Sequence, residues 1–205
     1  MKTSVFNIQS MNRKDLYFYV ALALSLSALG AALLLFFQPQ TAHREWKTVA
    51  LSSGLQPLDG TGAPPGRPYV FRDPDFPAGR LSLIYKDGIF SNIIWSARLS
   101  AIPPGWAEIR AGTAGPDNAV PLHYPVLRRN LRARAGSERF LQALFRRGLL
   151  DIYAGRLSRA RGALFLPRFL LKNGVLRLSL PWARRPREIR EFTEFSRAVY
   201  RVLEQ

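Results

Sequence analysis

Cysteine is absent from the 205 residues, and histidine occurs only at His43 and His123. The first absence excludes disulfides, thiol nucleophiles and Cys-based zinc or iron–sulfur sites. It leaves the compartment open, because a chain without disulfides can live anywhere. Acids are scarce as well: 14 Asp and Glu stand against 30 Lys and Arg, a formal charge of +16. The sequence holds no phosphate-binding loop, no Gly-rich dinucleotide fingerprint and no HExxH. His43 follows a long apolar run and reads as interfacial. His123 sits in Pro121-Leu122-His123-Tyr124-Pro125, with no nucleophile elbow anywhere in the chain. Asp73-Pro74-Asp75 supplies too few oxygens for a hard cation and reads as turn chemistry. These absences predict a non-enzyme with no cofactor and no metal site.

Charge is also missing from one long stretch. Leu16 to Phe37 is 22 residues without a charged side chain, rich in Leu, Ala and Phe. As a helix it extends roughly 33 Å, against a bilayer core of about 30 Å. Tyr17 and Tyr19 at its entry and Trp46 beyond its exit suit a headgroup layer. Pro39 is expected to stop the helix. A cleaved signal peptide fits less well, because its apolar region is shorter and Gln40-Thr41-Ala42 lacks the small-x-small pattern. The expectation is an uncleaved single-pass anchor, as in a bacterial inner membrane. Lys2, Arg13 and Lys14 before it outnumber Arg44 and Lys47 just after it by one. That balance favours the N-terminus in the cytoplasm and the remainder outside. Ala23, Ser27, Gly30 and Ala31 form a small-residue stripe on which another transmembrane helix could pack.

The expected organisation is a basic tail (1–15), the anchor (16–37), a Pro/Gly-rich linker (38–68) and a basic domain (69–205). The domain begins in β alternation: Leu81, Leu83 and Tyr85 lead through Asp87-Gly88 into a return strand over 89–95. A further strand is expected near 106–110 and a loop over 111–121. Another strand is expected from Val126 to Arg134. Ser137 and Glu138 then open a helix carrying Phe140, Leu141, Leu144 and Phe145, broken at Gly148 before a second short helix. Asn173-Gly174 joins two alternating strands, 165–172 and 175–182. After Pro186, Ile189, Phe192, Phe195, Val199 and Val202 line one face of a last helix. This order predicts an α+β fold, an antiparallel sheet with helices on one face.

What is abundant is arginine, 25 of the 30 bases. A codon-biased genome produces the same excess, so the count alone assigns no role. Eleven arginines lie between Arg128 and Arg168, opposed only by Glu138 and Asp151. Arg128, Arg132 and Arg134 are expected on one strand face, with Arg139, Arg146 and Arg147 beside them, as an anion- or partner-binding surface. Two functions follow. One is a non-catalytic accessory, structural or assembly subunit of a larger membrane complex. The other is a membrane-tethered module whose arginine face takes lipid headgroups, polymer or nucleic acid. The expected partners are other transmembrane subunits and an anionic lipid or acidic protein surface. Nucleic acid ranks lowest, because no nucleic-acid-binding module is recognisable.

Overall fold

The computed structural model describes residues 13–58, 68–76, 79–86, 89–112, 118–159, 166–181 and 185–205; within these, the side chains of 13–16, 32–44, 85–86, 89–91 and 159 are not described. The chain divides into two units, Met1–Arg44 and Glu45–Gln205.

The first unit is dominated by helix α1, Arg13–Ser52, whose last two turns belong to the second unit. Its described N-terminal side chains are apolar on every side: Tyr17, Phe18, Tyr19, Val20, Leu22, Leu24, Leu26 and Leu29 are all exposed. Ser25 and Ser27 donate to the carbonyls of Ala21 and Ala23, so both hydroxyls are satisfied within the helix. Among the described residues no helix is long and apolar enough to cross a membrane. The described part of the apolar run is 17–31, shorter than the run of 16–37 seen in the sequence.

Two expectations about the following segment are corrected. Helix α1 continues through Pro39 to Ser52, and the linker expected over 38–68 contains its end and the strand β1, Gln56–Pro57. Trp46 does not sit at a headgroup layer: it is 4% exposed and, with Ala50 and Leu55, joins the core of the second unit. Burial one turn apart, at 46 and 50, holds these turns helical where composition alone reads as linker. The helix closes with Gly54 in the left-handed region (φ 80°). Gly54 N–H donates to Leu51 O and Leu55 N–H to Ala50 O.

The second unit adds β2 (Tyr69–Arg72), β3 (Arg80–Lys86), β4 (Ile89–Arg98), β5 (Trp106–Ala111), α2 (Pro125–Asn130), β6 (Leu131–Ala135), α3 (Glu138–Arg146), α4 (Leu149–Arg159), β7 (Arg168–Lys172), β8 (Val175–Pro181) and α5 (Arg187–Glu204). All eight strands form one antiparallel sheet, ordered β1-β2-β3-β4-β8-β7-β5-β6. The expected α+β class holds. The β3–β4 hairpin is present, although its Asp87-Gly88 turn lies outside the described residues. Asn173 and Gly174 turn β7 into β8 with φ of 50° and 75°, both left-handed, as a two-residue hairpin loop requires. Ser137 caps α3, its hydroxyl accepting from Phe140 N–H at 3.1 Å. One strand was misread: 125–130 is helical, and only Leu131–Ala135 is extended.

Register puts one side chain from each of seven strands in a single row: Phe71, Leu81, Trp95, Leu178, Phe169, Ile109 and Ala133. Each is at most 1% exposed. Full burial of a large apolar side chain contributes about 1.5–3 kcal/mol. Helix α5 lays Ile189, Phe192, Phe195 and Val199 against this side of β4 and β8. Helices α2 and α3 cover β6, and α4 bridges them to α5. Tyr153 on α4 is fully buried and meets Phe195 edge-on at 5.2 Å. Its hydroxyl donates to Pro167 O, and burial pushes the phenol pKa far up.

Among the described residues, both edges of the sheet limit further pairing. At one, β1 is two residues long and ends in proline. At the other, buried Asn118 substitutes for a ninth strand. Its amide donates to the carbonyls of Leu131 and Arg128, and its oxygen accepts from Ala133 N–H.

Asp73, just after β2, is 0% exposed. Arg197 of α5 grips it with two bonds, Nε–Oδ2 at 2.9 Å and Nη2–Oδ1 at 2.8 Å, and reaches Asp75 at 3.5 Å and Ser53 O at 3.4 Å. The Asp73 bonds hold the guanidinium charged, raising its pKa against a smaller opposing effect of burial. This pair ties the end of α1, the end of β2 and the middle of α5. Removing Arg197 alone strands a buried carboxylate: Arg197→Met should cost about 3–5 kcal/mol in denaturant unfolding. The double variant Asp73→Leu/Arg197→Met should recover most of that loss. A double variant no more stable than the single one contradicts this account.

Near the C-terminus, Glu204 accepts from the N–H and hydroxyl of Ser100 at 2.6 and 2.7 Å, and from Ala101 N–H at 3.4 Å. Burial opposes its ionisation, but these bonds and Arg147 prevail and hold its pKa below the usual 4.5. A depressed carboxylate adds stability above its unfolded value and loses it as pH falls through the folded one. Glu204→Gln should therefore lower the unfolding midpoint at neutral pH, and the two proteins should converge as pH falls through the depressed pKa of the folded Glu204. A gap that stays constant with pH contradicts this.

Candidate anion-binding face

The residues adjacent to the buried row along each strand point to the other face of the sheet, because strand side chains alternate. On that face Arg72, Arg80, Arg98, Arg110, Arg134 and Arg177 are exposed. One row across it reads Arg72, Arg80, Ser96, Arg177, Leu170, Glu108 and Arg134. A second reads Arg98, Val175, Lys172 and Trp106. Arg110 lies opposite Arg132, and Arg168 follows Ser179 and Ile94 on the same face. Among the described residues the face thus carries nine bases and one acid, Glu108, which pairs with Arg168 at 2.6 Å. Ile94, on the same face between Ser82 and Ser179, is 7% exposed.

Acid is placed elsewhere. Helix α5 alone carries Glu188, Glu191, Glu194 and Glu204 beside Arg187, Arg190, Arg197 and Arg201, a balanced set. Among the described residues, Arg168 is the one base of the open face with an acidic partner. Arg132 Nε is buried and finds no acceptor there. Trp106, 42% exposed, lies over Gly136, where an added Cβ would come within 2.7 Å of the indole nitrogen.

The sequence-predicted arginines scatter. Arg132 and Arg134 do reach the open face. Arg128 does not share it: it lies on α2 and donates to Val120 O at 2.9 Å. Its face assignment failed because 125–130 is a helix that begins at proline, a start signal that outweighs the apparent alternation. Arg139 and Arg146 are exposed on α3, in the helical layer. Arg147 ends α3 and donates to Leu203 O at 2.7 Å and Ala101 O at 3.5 Å, so it serves as a tie between helix ends. Arg72, Arg80, Arg98, Arg110 and Arg177 lie outside the expected set, and Arg168 belongs to the arginine-rich stretch without an expected face, because these residues meet only through pairing of strands distant in sequence. Ala23, Ser27 and Ala31 are exposed on α1 and Gly30 is half-exposed, with open space beside it.

The other chemistry candidates are tied up. His123 is exposed, its ring tilted over Tyr124 at 4.6 Å. The Tyr124 hydroxyl donates to Asp151 at 2.6 Å, which together with burial raises the phenol pKa. His43 lies outside the described side chains. Among the described residues no cluster of three His, Asp or Glu is placed to hold a metal ion. A pocket of about 240 Å³ beside Ser52, Ser53 and Thr193 has its arginines, 190 and 197, facing Glu194, Asp73 and Ser52. It presents no surplus charge of either sign.

The fold is that of an α+β domain with a one-sided core and an open basic sheet face. No family model matches the chain, and no curated protein does. Among solved structures it is similar to the crystal structure of the mycobacterial trehalose monomycolate transport factor A, TtfA: 11% identity, 75% of this chain and 93% of that chain covered, TM-score 0.38. A likeness that loose transfers no role.

The face carries a measurable strain. Arg72 opposes Arg80 directly, and Arg110 opposes Arg132. Like charges at such positions destabilise a sheet. Arg80→Thr should raise stability by about 0.2–1 kcal/mol at low salt, and the gain should shrink as salt rises. A thermal midpoint that falls, or a gain indifferent to salt, would count against the strained face.

Proposed function

We propose that the chain is a non-catalytic, single-pass membrane protein, an accessory or assembly subunit whose domain docks through its open basic face. The observation that carries this reading is that face, with nine bases and one acid among the described residues. The anchor is the uncharged run 16–37. Its described part exposes large apolar side chains in all directions, which suits lipid or a partner helix and not water. Its two serines satisfy their hydroxyls on the helix itself, as an apolar medium demands. The stripe Ala23, Ser27, Gly30 and Ala31 is the surface for close helix packing. Binding, not catalysis, is also favoured by the acids: Asp73, Glu108, Asp151 and Glu204 are each engaged in structural contacts.

The anion-binding alternative shares this face and differs in its response to salt. Purification from native membranes in mild detergent, at low and high salt, should yield stoichiometric membrane partners that survive high salt. Ala23→Leu/Ala31→Leu, which fills the small stripe, should release them. If nothing co-purifies stoichiometrically, the subunit reading is lost. Partners that dissociate with salt and ignore the leucines favour the charge-led module instead.

A further inference from the structure

We propose that the open sheet face docks on the anionic headgroups of the bilayer that holds the chain's own anchor, an assignment that rests on the anchor reading above. Three observations select this occupant. First, reach is short. The apolar run ends at Phe37 and the compact unit begins at Glu45. The seven residues between them span at most about 25 Å even when fully extended, so an anchored domain stays at the membrane surface.

Second, the chemistry is that of repeated phosphate contact. The bases are spread over seven strands, a width of roughly 30 Å at sheet spacing, and arginine grips phosphate with two parallel bonds. The opposed pairs Arg72–Arg80 and Arg110–Arg132 repel in isolation and are relieved by anions laid between them.

Third, the apolar side chains are arranged for an interface of headgroups. Trp106 and Val175, 42% and 49% exposed, alternate with Lys172 and Arg98 in one strip. Tryptophan beside bases is the composition of a membrane–water boundary. A protein partner calls for an apolar, aromatic centre, whereas the middle of this face is Ser96, Arg177 and the half-buried Leu170, with no aromatic ring among its described side chains. Single-stranded nucleic acid calls for several stacking rings, and among the described residues the face offers Trp106.

The test uses the whole chain in nanodiscs of phosphatidylcholine, with or without phosphatidylglycerol. Val175→Cys introduces a unique thiol, since the chain has no cysteine, and carries an environment-sensitive fluorophore. A quencher attached to lipid headgroups should quench it in the anionic discs, little in the neutral ones, and less again at high salt. Arg80→Gln/Arg177→Gln should lower the docked-to-undocked ratio about 25-fold, roughly fivefold for each arginine. Arg129→Gln/Arg139→Gln removes the same charge from the helical layer and should leave quenching intact.

Quenching indifferent to phosphatidylglycerol, or lost equally in both double variants, overturns the proposal. So does a response to a single-stranded oligonucleotide without one to phosphatidylglycerol. Failure of the chain to enter discs at all overturns the anchor instead. Sedimentation of the same proteins with phosphatidylglycerol vesicles then decides the face: binding that depends on Arg80 and Arg177 upholds it, and no binding overturns it.

Discussion

One row of buried side chains, from Phe71 across to Ala133, sets the parity of every strand it crosses. Because strand side chains alternate, each residue beside that row is committed to the opposite face. A slip of one residue in any strand would drive arginines into the core and leave phenylalanine or tryptophan in water. The same burial that stabilises the domain therefore assembles the basic face. Fold and face are two consequences of one register.

What remains open on this domain is defined by what is closed. Asn118 occupies the carbonyl of Leu131 and the N–H of Ala133 on β6, and β1 is two residues long with a proline, so each edge offers an added strand little to pair with. The helices fill the inner face, fastened by Arg197 on Asp73 at one end and Arg147 on Leu203 at the other. A partner is left with the arginine face or the helical exterior, where α5 is balanced and α2–α4 carry six arginines against Glu138 and Asp151.

Local signals in the sequence were legible where a few adjacent residues sufficed. Asn173-Gly174 dictates a hairpin by its left-handed backbone, Ser137 dictates a helix start by its hydroxyl, and the apolar spacing of α5 dictates its buried stripe. The missed features depend on contacts between distant segments. Residues 45–52 are helical because Trp46 and Ala50 find a core. The strands β1 and β2 are short, and one lies in a proline- and glycine-rich stretch where composition hides pairing. Arginines 72, 80, 110, 168 and 177 lie more than a hundred positions apart at the extremes, and only the order β2-β3-β4-β8-β7-β5-β6 makes them neighbours.

A codon bias toward arginine explains how many there are, but it does not explain where the acids went. Random decoration would scatter glutamate and aspartate over both layers. Helices α2–α5 together have six acids among sixteen charged residues, while the described residues of the open face contribute one acid among ten. Two directly opposed arginine pairs add a repulsion that threonine at either position would remove. Sequences break a local rule of this kind chiefly at sites that do something else. The scarcity of acid on the sheet face, more than the abundance of arginine, is the observation on which the proposed anion docking rests.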